Sequence, residues 1–301
     1  MIHAKILLDS VNPAGNRITT WILTYPRFFH SEALTHRAFS RNAASSRAIP
    51  VKKTIEEVKN NAAMPIFWGK NQSGMQAKEE LDDIIKDKEI IVSPVGNSVD
   101  PTKLAVTAKH AAKHEWLAAR DSAIKHAEKM LELGLHKQIA NRILEPFMHM
   151  TVILTGTEFE NFFALRAHPD AQPEFQDLAY KMLQLYQDNS PNKLKEGEWH
   201  IPFGDKTPDN LGLNLKLKVA TARCARVSYM TFDGTFDLQK DYDMHDRLAE
   251  SGHWSPFEHC AEALDKSITI GNFVGWKQYR KTFYGENRPD GRVQKHIVSS
   301  R

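Results

Sequence analysis

Apolar and β-branched residues fill positions 2–9 (IHAKILLD) and 17–25 (RITTWILTY), and the Asn-Pro-Ala-Gly between them carries turn chemistry, so this pair predicts a β-hairpin. Pro26 suits the first position of a helix, and RFFHSEALTHRAFS places apolar residues at helical spacing until the small polar run Asn42 to Ser46. A helix is therefore expected to deliver Thr35, His36 and Arg37 to a loop. From about Pro101 to Gly134, Ala, Lys, Glu and Leu run without an internal Gly or Pro, which predicts one long helix or two stacked ones. Glu158 to Tyr186 reads as helical with a break at Ala167-His168-Pro169-Asp170, where Pro and Asp favour a turn. The Pro, Gly, Asn and Lys content between about Asn189 and Asn210 suits a surface loop and marks the candidate boundary. Beyond it, LKLKVATARCARVSY and LQKDYDMHDRLAESG read as helices and CAEALDKSITIG as a source of one strand. No tandem repeat of solenoid length is present.

Composition narrows the class. A chain of 301 residues with 41% hydrophobic positions, 15 Phe and 6 Trp can bury a sizeable core, as one large α+β domain or as more than one. The net charge of +3 comes from 40 basic and 37 acidic residues, so no general nucleic-acid-binding face is expected and any anion must be held by a local cluster. With only Cys224 and Cys260, a disulfide framework and a Cys-rich zinc site are excluded, and a reducing, cytoplasmic setting is expected. The start MIHAKILLDSVNPAGN lacks the features of a signal peptide, and no run approaches the roughly 18 apolar residues of a membrane span, so no membrane association is expected.

The chemistry concentrates in Thr35-His36-Arg37-Ala38-Phe39-Ser40-Arg41-Asn42-Ala43-Ala44-Ser45-Ser46-Arg47, which gathers one His, three Arg and three Ser. Guanidinium forks match phosphate oxygens, and hydroxyls and loop N–H groups satisfy the remaining lone pairs, so such a segment can grip a phosphate; a solvated basic helix end is the bland alternative. The segment resembles the signature of the flavin-dependent (alternative, ThyX) thymidylate synthase family, an R-H-R triplet followed after seven residues by Ser. Here T-H-R is followed after seven residues by Ser45, with Arg47 two places on and Asn42 at the family's Asn. Thr35 replaces the first Arg of the triplet and Ala43 the usual Glu.

Three further blocks carry the same resemblance. Asn141-Arg142-Ile143-Leu144-Glu145-Pro146 resembles the family's A-R-x-x-L-P, whose Arg contacts the nucleotide. NFFALRAHPDAQPEFQDLA resembles N-F-L-x-L-R…A-Q-x-E-I-R-x-x-A, aligning Asn161, Arg166, Ala171, Gln172 and Glu174, with Asp170 where the family often has His. Ala225-Arg226-Val227-Ser228 and the later Gly252-His253-Trp254-Ser255-Pro256-Phe257-Glu258-His259 resemble A-R-V-S and G-H-x-[ST]-P-F-E-H. In the family those two motifs precede the R-H-R helix; here they follow, so the block order looks circularly permuted. GNFVGWKQYRKTFYGEN then looks like the start of that helix again, with Arg280 and Asn287 at equivalent places.

The resemblance implies an α+β fold in which a mixed sheet packs with helices: residues 1–210 form the core, with a helical insertion at about 50–135, and 211–301 complete the same domain. It implies FAD as cofactor, NADPH and methylenetetrahydrofolate as co-substrates, a pyrimidine deoxynucleotide as substrate, and a homotetramer with active sites between subunits. The reaction implied is methylation of dUMP to dTMP. Ser45, Arg47 and Arg142 would hold the nucleotide, Arg166 would act at the pyrimidine, and His36, Arg37, Asn161, Ser228, His253, Ser255 and Glu258 would border the flavin. Flavin-dependent hydroxymethylation, dCMP as substrate, or a catalytically degenerate binding protein are the alternatives raised by Thr35 and Ala43. Three other readings are set aside. His110 and His114 share a helix face but have no obvious third metal ligand, Cys260 beside His259 reads as an inert thiol, and the basic stretch Lys277 to Lys281 sits in a chain without basic excess.

Overall fold

A computed structural model describes residues 1–83, 107–208, 210–228 and 237–287. Strands β1 (His3–Val11) and β2 (Arg17–Pro26) form the antiparallel hairpin that the sequence pattern predicts. Its turn is closed by the Asn12 side chain, which accepts the Asn16 N–H at 2.8 Å, and by Gly15 at φ 84°, a left-handed conformation that favours Gly. Strand β4 (His149–Gly156) pairs antiparallel with β2, β3 (Ser40–Ala43) pairs with the far side of β4, and β5 (Asn192–Lys193) lies parallel to β1. The sheet order is β3-β4-β2-β1-β5.

Side chains alternate between the faces of a sheet, and register partners share a face. On one face Trp21, Leu23 and Tyr25 of β2 stand opposite Leu154, Val152 and Met150 of β4. They bury against Phe162 and Phe163 of α5 (Glu160–Arg166) and Phe175, Leu178 and Met182 of α6 (Pro173–Asp188). At roughly 1.5–3 kcal/mol per large side chain removed from water, this is the principal core. The helix pair falls where the pattern puts it, broken between Arg166 and Pro173.

The opposite face carries Ile22 and Ile153 together with a polar stripe, Ser10, Thr20, Thr155 and Ser40. It is covered by α7 (Leu213–Ala225) and by a second sheet, β10 (Trp276–Gln278), β7 (Ala261–Ala263) and β6 (Trp199–His200), in that order. The segment after residue 210 thus packs directly on the main sheet. Helices α2 (Val51–Asn60) and α3 (Ala108–Glu132) bury Val51, Ile55, Val58, Ile124 and Ala127 against Ala140, Leu144, Phe147 and Met148, so the two helices share a second, smaller core with the stretch that leads into β4. The long helix is single and capped by the Thr107 side chain; the stretch 101–106 of that reading lies outside the described residues. Among the described residues no helix is long and apolar enough to cross a membrane.

Four expectations are corrected. Pro26 ends β2 and does not open a long helix: a 3₁₀ turn (Arg27–Phe29) and a four-residue α1 (His30–Ala33) follow, and Thr35 to Arg37 lie beyond them. The free edge of β4 offers backbone partners to residues 40–43, and those inter-strand hydrogen bonds override the turn propensity of the polar run. The stretch 189–210 is not a plain surface loop, since His200 is fully buried within β6 and Phe203 is 1% exposed. GNFVGWKQYRKTFYGEN forms no second helix. Gly271 and Gly275 adopt positive φ, and between and after them run β9 (Phe273–Val274), β10 and a 3₁₀ turn (Tyr279–Thr282).

Candidate active site

Arg166 is the last residue of α5, and its guanidinium lies over the Phe175 ring, 4.8 Å from the centroid. Nε donates to His36 Nε2 at 2.9 Å and Nη2 donates to Thr35 Oγ1 at 3.2 Å. A guanidinium can only donate, so Nε2 of His36 accepts and the imidazole is neutral with its proton on Nδ1. Burial, then the charges of Arg166 and Arg41, lower the His36 pKa to about 4, in agreement with that geometry. The ring is wedged edge-on against Phe162, centroids 5.1 Å apart.

Arg41 stands opposite Leu154, so it projects from β3 toward the same helical face. Nη1 donates to the Phe39 carbonyl at 3.2 Å and Nη2 to the His36 carbonyl, while the buried Nε finds no partner among the described residues. Two neutral carbonyls do not compensate a cation, and burial lowers its pKa. Arg37 and Arg47 are exposed nearby in sequence, and Ser45 Oγ accepts the Arg47 N–H at 3.3 Å.

The NRILEP block meets this loop directly. Asn141 Nδ2 donates to the carbonyls of Ser46 (2.7 Å) and Ile49 (2.9 Å). Arg142, half exposed, pairs with Glu145 at 3.0 Å, and the same carboxylate accepts from Ser46 Oγ at 2.5 Å and pairs with Arg27 at 3.2 Å. Glu145, which stands where the motif has Leu, was missed by the sequence reading although its departure was visible there.

The SPFEH block sits on the other side of β3. Gly252, at φ 71°, ends α8 (Leu238–Ser251), and Phe257, fully buried, anchors the 3₁₀ turn Ser255–Glu258. His259 Nε2 lies 2.9 Å and Ser255 Oγ 3.4 Å from the Asn42 amide, so blocks more than 200 positions apart in the chain touch at one residue. Burial lowers the His259 pKa to about 3.

Not every expected neighbour converges. Glu258 engages Arg280 at 2.5 Å, and Arg280 also binds Glu286 at 2.6 Å, so the Glu258 carboxylate is paired within the C-terminal segment. His253 is exposed and its Nδ1 lies 2.7 Å from Ser251 Oγ; Asn161 is exposed on α5. The turn Arg226–Ser228 follows α7, but the Ser228 side chain lies outside the described residues. His36 and Arg166 therefore belong to one face of the sheet and Ser255 and His259 to the other, with edge strand β3 between them. Both cysteines are buried, which raises the pKa of each thiol.

No curated protein matches the chain. The model of the thymidylate synthase complementing protein family (Thy1) matches residues 16–192, more than half of the 301, from β2 through the α5–α6 pair that brings Arg166 to His36; the chain belongs to this family.

Proposed function

We propose that the protein is a cytoplasmic, homo-oligomeric, FAD-dependent thymidylate synthase that methylates dUMP to dTMP with methylenetetrahydrofolate and NADPH. The observation that supports it is the convergence of Arg166, His36 and Arg41, cations and a neutral imidazole drawn from two separate signature blocks into one half-buried cluster. The fit to an anionic, phosphate-bearing ligand rests on Arg41, whose charge meets two carbonyls and the Phe39 ring face but no carboxylate, and whose Nε is buried without a partner among the described residues.

Bound flavin would supply the hydride chemistry, leaving the chain to place and stabilise charge. Arg166 is fixed by His36, Thr35 and the Phe175 face before any ligand arrives, and preorganised cations stabilise charge where it develops, here on a pyrimidine ring. Ser45, Arg47 and Arg142 would take the nucleotide phosphate and sugar. Arg37 and Arg41 would face the flavin phosphates beside His36 and Asn161, and Ser228, His253, Ser255 and Glu258 would border the flavin from the segment beyond β3. Neither buried thiol is needed as a nucleophile.

A second reading keeps flavin and a pyrimidine nucleotide but changes the base or product. It is favoured by Thr35, whose hydroxyl accepts from Arg166 where the signature has the first Arg of its triplet. Purified protein is incubated with FAD, NADPH, methylenetetrahydrofolate and either dUMP or dCMP, and products are read by mass spectrometry. The dUMP product at the mass of dTMP supports the first reading and a modified dCMP the second. A colourless protein that takes up no added FAD sinks both.

A further inference from the structure

A continuous line of hydrogen bonds crosses the interior from the signature loop to the far side of the sheet. His259 Nε2 lies 2.9 Å from the Asn42 amide and its Nδ1 2.8 Å from Thr155 Oγ1. Thr155 Oγ1 is 2.8 Å from Thr20 Oγ1, which is 2.8 Å from His200 Nε2, and His200 Nδ1 is 2.9 Å from Ser10 Oγ. His259, Thr155, Thr20 and His200 are fully buried and Ser10 is 1% exposed. Thr20 and Thr155 are register partners on the polar stripe, so strand pairing itself sets their separation. Six segments are stitched together: β3, the SPFEH block, β4, β2, β6 and β1.

We propose that the Asn42 amide, fixed in one orientation, sets the tautomers of His259 and His200 through Thr155 and Thr20 in a one-way chain of hydrogen bonds, coupling the signature loop of the candidate site to the buried interior. A neutral imidazole has one N–H and one lone pair, and a Thr hydroxyl can accept twice but donate once; the Thr155 and Thr20 hydroxyls have only their two chain neighbours as hydrogen-bond partners among the described residues, so each proton goes to one of the two and the direction set at Asn42 passes down the chain. Burial keeps both imidazoles neutral. At Asn42 the direction is set by surroundings. Turned toward His259, the amide nitrogen faces three acceptors, His259 Nε2 at 2.9 Å and the carbonyls of Ser255 and Arg41 at 3.2 Å each, and its oxygen is left to the Ser255 hydroxyl. The amide then donates to His259, whose Nδ1–H donates to Thr155. Thr155 donates to Thr20, Thr20 to His200 Nε2, and His200 Nδ1–H to Ser10. Both histidines hold the proton on Nδ1, and the Asn42 oxygen is presented on the Ser255 side. His200, in no signature block, is thereby coupled to the signature loop through three intermediaries.

The chain exists whichever ligand the loop takes, so its test is independent of the flavin reading. Long-range ¹H–¹⁵N correlation spectra of ¹⁵N-labelled protein report the tautomer of each histidine. In the wild-type chain both His259 and His200 are expected as Nδ1–H. Asn42→Asp replaces the donor by a carboxylate that only accepts, and both rings are expected to switch to Nε2–H. Adding Thr155→Val to Asn42→Asp should switch His259 alone, while Thr155→Ser with Asn42→Asp should restore the double switch. Thr20→Val in the otherwise native chain should leave His259 as Nδ1–H and release His200 to a mixture of tautomers, which keeps the test open if Asn42→Asp fails to fold. Opposite tautomers in the wild-type chain, or a His200 signal unmoved by either Asn42→Asp or Thr20→Val, would overturn the proposal.

Discussion

Arg166 Nε donates to Nε2 of His36 at 2.9 Å, although 130 positions separate the two residues. One side chain closes α5 and the other follows the short α1, and three phenylalanines, Phe39, Phe162 and Phe175, pack around the imidazole. The contact ties the signature triplet to the LR block and fixes the charge state of both partners. Arg166→Ala, and independently Arg47→Ala, should weaken dUMP binding by about 10-fold to 100-fold, since a charge-assisted hydrogen bond is worth roughly 1.5–3 kcal/mol. Calorimetric titration checks this; unchanged affinity in both variants contradicts the assigned roles.

Glu145 joins Arg142, Arg27 and Ser46, groups that would otherwise be free to meet a phosphate. Glu145→Gln removes the negative charge and keeps the shape. Affinity for inorganic phosphate and for dUMP is expected to rise several-fold, because two guanidiniums lose their internal competitor. Equal or weaker binding of both ligands would show that the carboxylate orders the cluster and does not compete with the ligand.

Among the described residues six histidines are held below their ordinary pKa, burial being the first cause in each: His36 and His149 at about 4, His200 and His259 at about 3, and His30 and His245 in the same direction. In the unfolded chain they titrate near 6.5. Above that pH both states are neutral and nothing is lost. As pH falls from about 6.5 toward 4 the unfolded state takes up protons that the folded state refuses, so stability declines through that window. Urea midpoints should be level between pH 8 and 7 and fall between pH 6 and 5; a flat profile down to pH 5 would contradict the burial of these rings.

Phe257 and Glu258 are neighbours with different tasks. Phe257 is fully buried among Leu217, Trp254, Tyr279 and Phe283, while the Glu258–Arg280 pair is partly exposed, at 17% and 28%. Phe257→Ala should cost about 3–5 kcal/mol of unfolding free energy. Glu258→Gln should cost about 1 kcal/mol or less, as solvent-screened pairs do. Urea denaturation compares them, and a larger loss for Glu258→Gln would mean that charge, not packing, docks the C-terminal segment.

The sequence by itself determined the local pieces whose physics is local. The hairpin of residues 3–26 follows from alternating β-branched positions around a Gly turn, and the α5–α6 pair from helical spacing broken at Pro169. The single helix of residues 108–132 follows from a run without Gly or Pro. The signature blocks were legible as short fixed spacings, and they pointed to the family that the match over residues 16–192 bears out. What only the tertiary structure decided is whatever depends on partners distant in the chain. Residues 40–43 became a strand because β4 had an open edge, and nothing in their own composition announces that edge. Glu258 turned to Arg280 and Arg41 to two carbonyls, because charge partners are chosen by proximity after packing. His200, in a stretch whose Pro, Gly and Lys content reads as surface, was drawn into the interior by a stripe of hydroxyls on the opposing sheet, since a buried polar surface must find partners for every donor and acceptor it carries.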